Sequence, residues 1–201
     1  DQQRYEGRLH SWSIDKWKPE HMEELAFSHM RKVVQETKPD LIVLSGDNVY
    51  GEFDDAGTSL KALVKELDSY KIPWTFTFGN HDNETHLGVQ ATVDEYLKSE
   101  YCIFTRGPVE KDEDGNDYYP VEGNGNFNIG ITQNGKLTEV VFLMDSNGHT
   151  DSDRDQNMFS SLGLMDGQIT WFTEKCELLK KYNGGKSPKF IGFFHHPMRA
   201  Y

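Results

Sequence analysis

The first half of the chain alternates amphipathic segments with short apolar runs. Apolar residues recur at helical spacing over 19–37 and again over 58–71, and each pattern predicts a helix. The run "LIVL" at 41–44 is continuously apolar, as expected for a buried parallel strand, and "WTFTF" at 74–78 is the next predicted strand. A third helix is expected over 84–99. Helices that alternate with strands in this way predict crossover connections and a parallel sheet.

The second half begins with a polar, turn-rich stretch and then returns to strand-like sequence. The runs "FNIGIT" and "LTEVVFLMD" flank Asn134 and Gly135, and Asn-Gly between two such runs is the strongest short signal for a β-hairpin. The acidic segment 112–119 predicts a solvated hairpin tip. A helix over 167–183 and a last strand over 189–197 complete the pattern. Together these elements predict a single α/β domain with mixed sheets flanked by helices.

Composition narrows the classes of partner. The 201 residues can bury one sizeable core, and 36% hydrophobic and 12% aromatic residues argue against disorder. The formal net charge of -12 argues against a nucleic-acid backbone or an anionic membrane as the main partner. An acidic enzyme can still handle phosphate when bound cations supply positive charge. No stretch is apolar for long enough to span a membrane, and both a cytoplasmic and an exported location stay open.

Ligand-type side chains follow three of the predicted strands. Taken alone, Asp47 fits an ordinary turn as well as it fits a site, because Gly-Asp-Asn is common loop sequence. The carboxyl ends of parallel strands open onto one edge of a sheet, however, and α/β proteins bind ligands at that edge. Asp, Asn and His are donors that suit Mg, Mn, Fe or Zn. The candidates at the three strand ends are Asp47, then Asn80, His81 and Asp82, then His195 and His196.

Several short motifs resemble those of the calcineurin-like metallophosphoesterases. The three strand ends carry "GDNVY", "GNHD" and "HHP", in the order and spacing of that family. Further motifs are similar to the purple acid phosphatase-like branch of the family, namely "KIPW", "GNGN", "FLMDS" and "FHHP". The resemblance runs from about residue 39 to the end of the chain. It implies an α+β sandwich of the metallophosphoesterase type over 1–201 and a site that holds two metal ions.

The resemblance also implies roles for the residues that match its motifs. Asp47 matches the aspartate that bridges the two metals, and Asn80 matches the neutral amide ligand. His195 is the better match to the next metal-binding histidine, because the family pattern places that histidine two residues before a proline. His81 matches the histidine that protonates the leaving group or steadies the phosphate. Asp82 is then expected to orient the His81 imidazole.

Three further residues are candidates for a metal or pocket role. Tyr50 matches the purple acid phosphatase tyrosine that binds ferric iron. In the closer branch, however, another aromatic residue followed by glycine is common at that position, and Gly51 follows here, so a packed aromatic side chain is favoured. His196 is expected to face substrate or to pack beside His195. Asn48 directly follows the predicted bridging aspartate.

Two motifs of the family, an initial D-x-H and a final G-H-x-H, are not found in the 201 residues. Both motifs belong to the ends of the family pattern. We therefore expect a domain that lacks its first and last motif segments, and an incomplete set of metal ligands, rather than a degenerate site.

These features lead to a functional expectation. The resemblance implies a phosphoesterase that hydrolyses a small phosphate monoester or diester with two divalent or trivalent ions, of Mn, Fe, Zn or Mg, and an activated water. The alternative is a catalytically silent member of the family that serves as a binding module or scaffold. A nucleotide-binding protein without metal chemistry is disfavoured, because no glycine-rich phosphate loop opens a predicted helix.

Overall fold

The structure is a computed structural model that describes residues 19–49, 57–82, 87–147 and 163–197. Within these ranges the chain forms four helices and seven strands. In chain order they are α1 (Pro19–Thr37), β1 (Ile42–Leu44), α2 (Thr58–Ser69), β2 (Trp74–Phe76), α3 (Gly88–Tyr96), β3 (Glu110–Lys111), β4 (Asp117–Tyr118), β5 (Phe127–Gln133), β6 (Lys136–Leu143), α4 (Asp166–Tyr182) and β7 (Lys189–Phe193). None of the helices in these ranges is both long and apolar enough to cross a membrane.

The first sheet is parallel, as the alternation of helices and strands predicts. Strand β1 pairs with β2 in parallel, and Ile42 lies opposite Trp74. A parallel bridge from Trp74 to Cys102 adds a third chain segment to this sheet on the other side of β2. Because β1 and β2 are parallel neighbours that end in register, with Leu44 opposite Phe76, the loops that follow them begin close to one another.

The second sheet has the order β5-β6-β7. Strands β5 and β6 form the predicted antiparallel hairpin, whose turn residues Asn134 and Gly135 have φ values of 50° and 73°. Two positive φ angles in sequence match the twist that a tight hairpin needs. Strand β7 pairs with β6 in parallel. The expectation that all three site-bearing strands share one parallel sheet is therefore wrong, since β7 lies in the second sheet. The segment 112–119 lies at the tip of the small β3–β4 hairpin, as predicted.

The core lies between the two sheets and is rich in aromatic side chains. Phe76 stacks on Phe104 with 4.2 Å between ring centroids, and Phe104 meets Phe127 of the second sheet edge to face at 5.4 Å. Tyr96 of α3 is fully buried against the same group. A second cluster around Phe142 and Trp171 packs α4 against the outer face of the second sheet. A parallel sheet and a mixed sheet with helices outside form an α/β sandwich, as predicted.

A charged group fastens α1 to α2. Arg31 donates from Nε to Glu66 Oε1 at 2.8 Å and from Nη2 to Glu66 Oε2 at 2.6 Å. The Tyr70 hydroxyl donates to Glu66 Oε1 at 2.7 Å. The Glu66 side chain is only 9% exposed. The Arg31 guanidinium, assisted by Tyr70, holds the pKa of Glu66 below its usual range, although burial opposes that shift.

We expect Glu66→Gln to lower the melting temperature by a few degrees at pH 7. The pKa of Glu66 is lower in the folded protein, so its stabilisation is present above the unfolded-state pKa of about 4.3 and is lost as the pH falls through the folded-state value. The difference between wild type and variant should therefore disappear in acid. Thermal melts from pH 7 to about pH 3 measure this. Glu24→Gln is the matched control, because Glu24 also pairs with Arg31 but is 67% exposed; an equal effect of both changes would contradict the prediction.

Candidate active site

The loops after three strands meet around Asp47. The His81 backbone N–H, in the loop after β2, donates to Asp47 Oδ1 at 3.0 Å. His195, directly after β7 and Phe194, places its Nε2 atom 3.1 Å from Asp47 Oδ2. One carboxylate oxygen of Asp47 thus contacts the loop after β2 of the first sheet, and the other contacts the residue that follows β7 of the second sheet. The structure brings together the residues that the sequence pattern selected.

Two glycines make this close approach feasible. A Cβ atom at Gly46 would lie 2.7 Å from His195 Cβ, and Gly46 has a φ of 93°. A Cβ atom at Gly79 would overlap the Asp47 amide nitrogen and carboxylate oxygen. Asp47 itself has a φ of 51°, which costs a non-glycine residue on the order of 1 kcal/mol. The glycines of the "GD" and "GN" pairs are therefore required by packing between the strand ends.

The hydrogen bonds of His195 define what can lie between it and Asp47. Its Nδ1 atom is 3.0 Å from the Ser45 carbonyl oxygen. Because a carbonyl can only accept, Nδ1 carries a proton there, and the Nε2 atom of a neutral ring then points a lone pair at Asp47. Two acceptors in contact need a proton or a cation between them. The 3.1 Å separation fits an ion pair when the ring is protonated, and a neutral ring and the carboxylate would be two donors for a cation.

The described residues include the three predicted metal ligands Asp47, Asn80 and His195. Across the described ranges, no group of three or more His, Cys, Asp or Glu side chains is arranged to hold a metal ion. Asp47 and His195 form a pair, and Asn80 lies half-buried in the loop after β2, next to His81. An amide oxygen is a neutral donor of the kind that hard cations accept. The ligand roles predicted for Asp47, Asn80 and His195 stay predictions.

His196 lies against the same site. Its backbone N–H donates to Ser146 Oγ at 2.7 Å, and its ring packs edge to face on His195 with 4.7 Å between centroids. Burial, assisted by the neighbouring His195, lowers the pKa of His196, so the ring is neutral near pH 7. Its Nε2 atom is buried without a hydrogen-bond partner among the described residues. A neutral ring with an unused nitrogen can accept a metal ion or a substrate hydrogen bond.

Asp82 is buried and ties two loops together. Its Oδ1 atom accepts the N–H groups of Asn48 at 2.8 Å and Val49 at 3.0 Å, and its Oδ2 atom accepts the N–H of Gly79 at 2.7 Å. Burial raises the pKa of Asp82 to about 6, against the opposing effect of these backbone donors. The structure thus gives Asp82 a part in fixing the loops after β1 and β2. Its predicted action on the His81 imidazole stays a prediction.

The other two candidates for a metal or pocket role are Asn48 and Tyr50. The Asn48 side-chain amide donates to the Thr77 carbonyl at 3.2 Å, which places Asn48 between the loops that carry Asp47 and His81. A metal or pocket role for Asn48 stays a prediction. Tyr50 lies outside the described residues.

A buried polar group beneath the site was not found by sequence reasoning. Gln168 of α4 is fully buried, and all the hydrogen-bonding capacity of its side chain is used. Its Nε2 atom donates to Asn126 Oδ1 at 2.7 Å and to the Asp145 carbonyl at 2.6 Å. Its Oε1 atom accepts from the Met165 N–H at 2.8 Å and from Asn147 Nδ2 at 3.0 Å. These bonds hold the loop after β6 in place against α4.

Asp145 leads from this buried group to the histidine pair. Its carboxylate accepts the N–H groups of Asn124 at 2.7 Å and Asn147 at 2.9 Å, and burial raises its pKa. The next residue, Ser146, is the hydroxyl acceptor for the His196 N–H. The motifs "GNGN" and "FLMDS" therefore support the backbone that carries His195 and His196. In the sequence these two motifs indicated the family, but they did not indicate these contacts.

The comparison with known proteins agrees with the fold. The family model described as "Calcineurin-like phosphoesterase" matches residues 20–201 of the chain. This match covers nearly all of the chain. The protein belongs to the calcineurin-like phosphoesterase family.

Individual relatives lie in the purple acid phosphatase-like branch, as predicted. The chain is 28% identical over 190 residues to "Probable inactive purple acid phosphatase 29" of Arabidopsis thaliana, over 84% of this chain and 44% of that protein. It is 24% identical over 178 residues to "Probable inactive purple acid phosphatase 28" of the same plant, with 84% and 44% covered. It is 26% identical over 183 residues to "Phosphatase DCR2" of Saccharomyces cerevisiae, with 86% and 29% covered. The chain spans less than half the length of these relatives.

Proposed function

We propose that the protein is a metal-dependent phosphoesterase that hydrolyses a phosphate monoester or diester beside Asp47. The observation that carries this proposal is the contact between His195 Nε2 and Asp47 Oδ2, with the His195 tautomer set by the Ser45 carbonyl. A histidine that donates its second ring nitrogen to a carbonyl is the usual arrangement of a metal ligand. The phosphatase named among the yeast relatives also supports it.

The metal ligands in this proposal are Asp47, His195 and Asn80, with His196 as a further donor through its unpaired Nε2. Aspartate oxygen, amide oxygen and imidazole nitrogen together suit Mn, Fe, Zn or Mg. When bound, a pair of such ions would polarise the phosphoryl oxygens and lower the pKa of the attacking water.

The chain's own groups have separate tasks in this proposal. The Asp47 Oδ1 atom holds the backbone of His81 at the site edge, so the His81 ring can give a proton to the leaving oxygen without being a ligand itself. Asp82 keeps that loop against the loop of Asp47 by accepting hydrogen bonds from the Asn48 and Val49 backbone amides, and it accepts a third from Gly79 within its own loop. The Ser45 carbonyl fixes His195, and Ser146 fixes the backbone of His196. The site is thus preorganised by contacts that do not involve substrate.

A second function follows from the names of two plant relatives, which are described as probable inactive purple acid phosphatases. Such a protein would bind a phosphate ester, or another partner, at the same edge without turning it over. The described residues keep Asp47, Asn80 and His81 together, which favours catalysis over a silent binding module.

The proposal is tested by restoring metal to stripped protein. The full chain is treated with a chelator, dialysed, and supplied in turn with Mn²⁺, Fe²⁺, Zn²⁺ or Mg²⁺, while hydrolysis of a chromogenic phosphomonoester and a phosphodiester is followed. We expect at least one ion to restore turnover and the chelator to abolish it again. A folded protein that binds inorganic phosphate but turns over neither ester with any ion would support the silent binding module instead.

A further inference from the structure

The third chain segment of the first sheet, which pairs through Cys102, leads to an arginine at the same edge of that sheet. The segment that ends at Phe104 runs parallel to β2, because Cys102 pairs with Trp74 and the Phe104 ring stacks on Phe76. Arg106 follows two residues later. Because parallel neighbours end at the same side of a sheet, Arg106 lies at the edge onto which the loop after β2 opens.

The Arg106 guanidinium is held by neutral groups. It donates from Nη1 to Gln90 Oε1 and from Nη2 to Asn124 Oδ1, the second at 2.9 Å. It also lies over the Tyr119 ring, with 4.9 Å from Cζ to the ring centroid. Among the described residues, no carboxylate forms an ion pair with it. These contacts fix the position of the cation without cancelling its charge.

A short chain of hydrogen bonds connects Arg106 to the candidate site. Asn124 accepts from the guanidinium with its side chain, and its backbone N–H donates to Asp145 Oδ2 at 2.7 Å. Asp145 precedes Ser146, whose hydroxyl accepts from His196. The groups that hold the histidine backbone therefore also hold the arginine. Arg106 thus lies beside the framework of the site without contacting its candidate ligands, and it is half-buried rather than free in solvent.

The strand order sets the distance between Arg106 and Asp47. The segment ending at Phe104 flanks β2 on the side opposite β1, so Arg106 and Asp47 follow strands that are two positions apart. Adjacent strands are about 4.8 Å apart, which separates the two strand ends by about 10 Å. The guanidinium itself is fixed by Gln90, Asn124 and Tyr119, and among the described residues none of these has a hydrogen bond or ion pair with Asp47. An anion on Arg106 would therefore be held by different residues from a phosphate at Asp47.

An arginine without a carboxylate partner among the described residues is notable in a protein of this net charge. The formal net charge is -12, so the protein as a whole repels anionic molecules. Arg31, by contrast with Arg106, pairs with Glu24 and Glu66. Two of the five N–H donors of Arg106 bond to amide oxygens, and a guanidinium fork matches the spacing of phosphate or carboxylate oxygens.

We propose that Arg106 binds a second anionic group of the substrate, and that the substrate class is a phosphate ester that carries a further phosphate or carboxylate. This inference rests on the proposed function, since it assigns the substrate of that same site. The second group lies beyond the loop after β2, on the side away from Asp47, and Arg106 selects such esters over those with one anionic group.

The first experiment measures binding and does not depend on turnover. Titration calorimetry compares propylphosphonate, which has one anionic group, with propylene bisphosphonate and phosphonobutyrate, which have two. Phosphonates have no ester bond to cleave. We expect Arg106→Gln in the metal-loaded full chain to weaken binding of a two-anion compound by about 10- to 100-fold and to leave propylphosphonate unchanged. If the affinity for the bisphosphonate falls more, the second group is a phosphate; if the affinity for phosphonobutyrate falls more, it is a carboxylate.

Two control variants separate recognition from charge and from folding. Lys65→Gln removes one positive charge from an exposed position on α2, so it reports the effect of net charge alone. Arg106→Lys keeps the charge but loses the planar fork, and it should retain part of the affinity. If Arg106→Gln weakens all three compounds equally, or weakens none, the inference is overturned. Equal loss would show that Arg106 only supports the site through Asn124.

The second experiment uses turnover, where it occurs. For an ester with a second anionic group, Arg106→Gln should raise KM by about 10-fold or more and leave kcat nearly unchanged, because it removes uniform binding. For a plain chromogenic monoester both constants should stay the same. If wild type has no turnover, the proposed function fails while the binding experiment still decides the role of Arg106. A fall in kcat for both esters contradicts the inference.

Discussion

Replacing Asp47 by Asn is expected to lower metal-restored phosphoester hydrolysis by about 100-fold or more, with little change in folding stability. Asparagine keeps the oxygen that accepts the His81 N–H, so the loop after β2 stays in place. Its amide nitrogen can still meet His195, but it cannot bind a cation or neutralise one. Asp47 lies where the loops of both sheets meet, and among the described residues it is the carboxylate that contacts His195.

The Asp47→Asn experiment has a matched control in the same chain. Asp114→Asn makes the same chemical change at the exposed tip of the β3–β4 hairpin, and it should leave hydrolysis unchanged. Activity is measured with each metal at saturation, and urea unfolding confirms that both variants fold. Equal turnover by Asp47→Asn and wild type would remove Asp47 from the proposed mechanism.

Gly79→Ala is expected to destabilise the protein by about 3 kcal/mol, because an added Cβ atom overlaps the Asp47 backbone and carboxylate. The obstruction is main chain, which cannot rotate aside as a long side chain can. Relief requires the loops after β1 and β2 to separate, and this breaks the bonds from Asp82 to the Asn48 and Val49 amides. The variant should therefore lose both folding stability and metal affinity.

Gly192→Ala is the comparison for this effect. Gly192 lies in β7, close to the same site, and a Cβ atom there would come no nearer than 3.7 Å to its neighbours. Its effect on the free energy of unfolding should be below about 1 kcal/mol. Urea titrations of both variants and wild type give the comparison. Similar midpoints for Gly79→Ala and wild type would show that the strand ends are not as tightly packed as the structure describes.

Much of the fold follows from local sequence pattern. The α1 helix, the alternation around β1 and β2, and the hairpin at Asn134 and Gly135 each depend on residues close together in the chain. The position of β7 does not. It pairs with β6 over a separation of about fifty residues, as Glu139 lies opposite Lys189, and no local signal states which sheet a final strand joins.

The candidate site was predicted in part. Ligand-type residues at strand ends pointed to Asp47, His81 and His195, and the structure brings these residues together. The partners of Asp82 were missed, because hydrogen bonds to backbone amides leave no trace in residue identity. The reason for the neighbouring glycines likewise became visible only when the space around each one was known.

Two features of the site needed the three-dimensional structure. Gln168 reads in sequence as an ordinary polar helix residue, yet it bonds to Asn126 from 42 residues away and is fully buried. Arg106 follows a short segment with no motif and precedes a polar stretch of the sequence. Its significance depends on the pairing of Cys102 with Trp74 and on the absence of a carboxylate partner among the described residues.

The most direct test of the metal assignment is an anomalous difference map from crystals of the full chain grown with Mn²⁺ or Zn²⁺. The account predicts a peak that contacts both the Asp47 carboxylate and His195 Nε2, with the His195 Nδ1 atom still donating to the Ser45 carbonyl. A peak elsewhere, or no peak with Asp47 and His195 still paired directly at saturating metal, would contradict it.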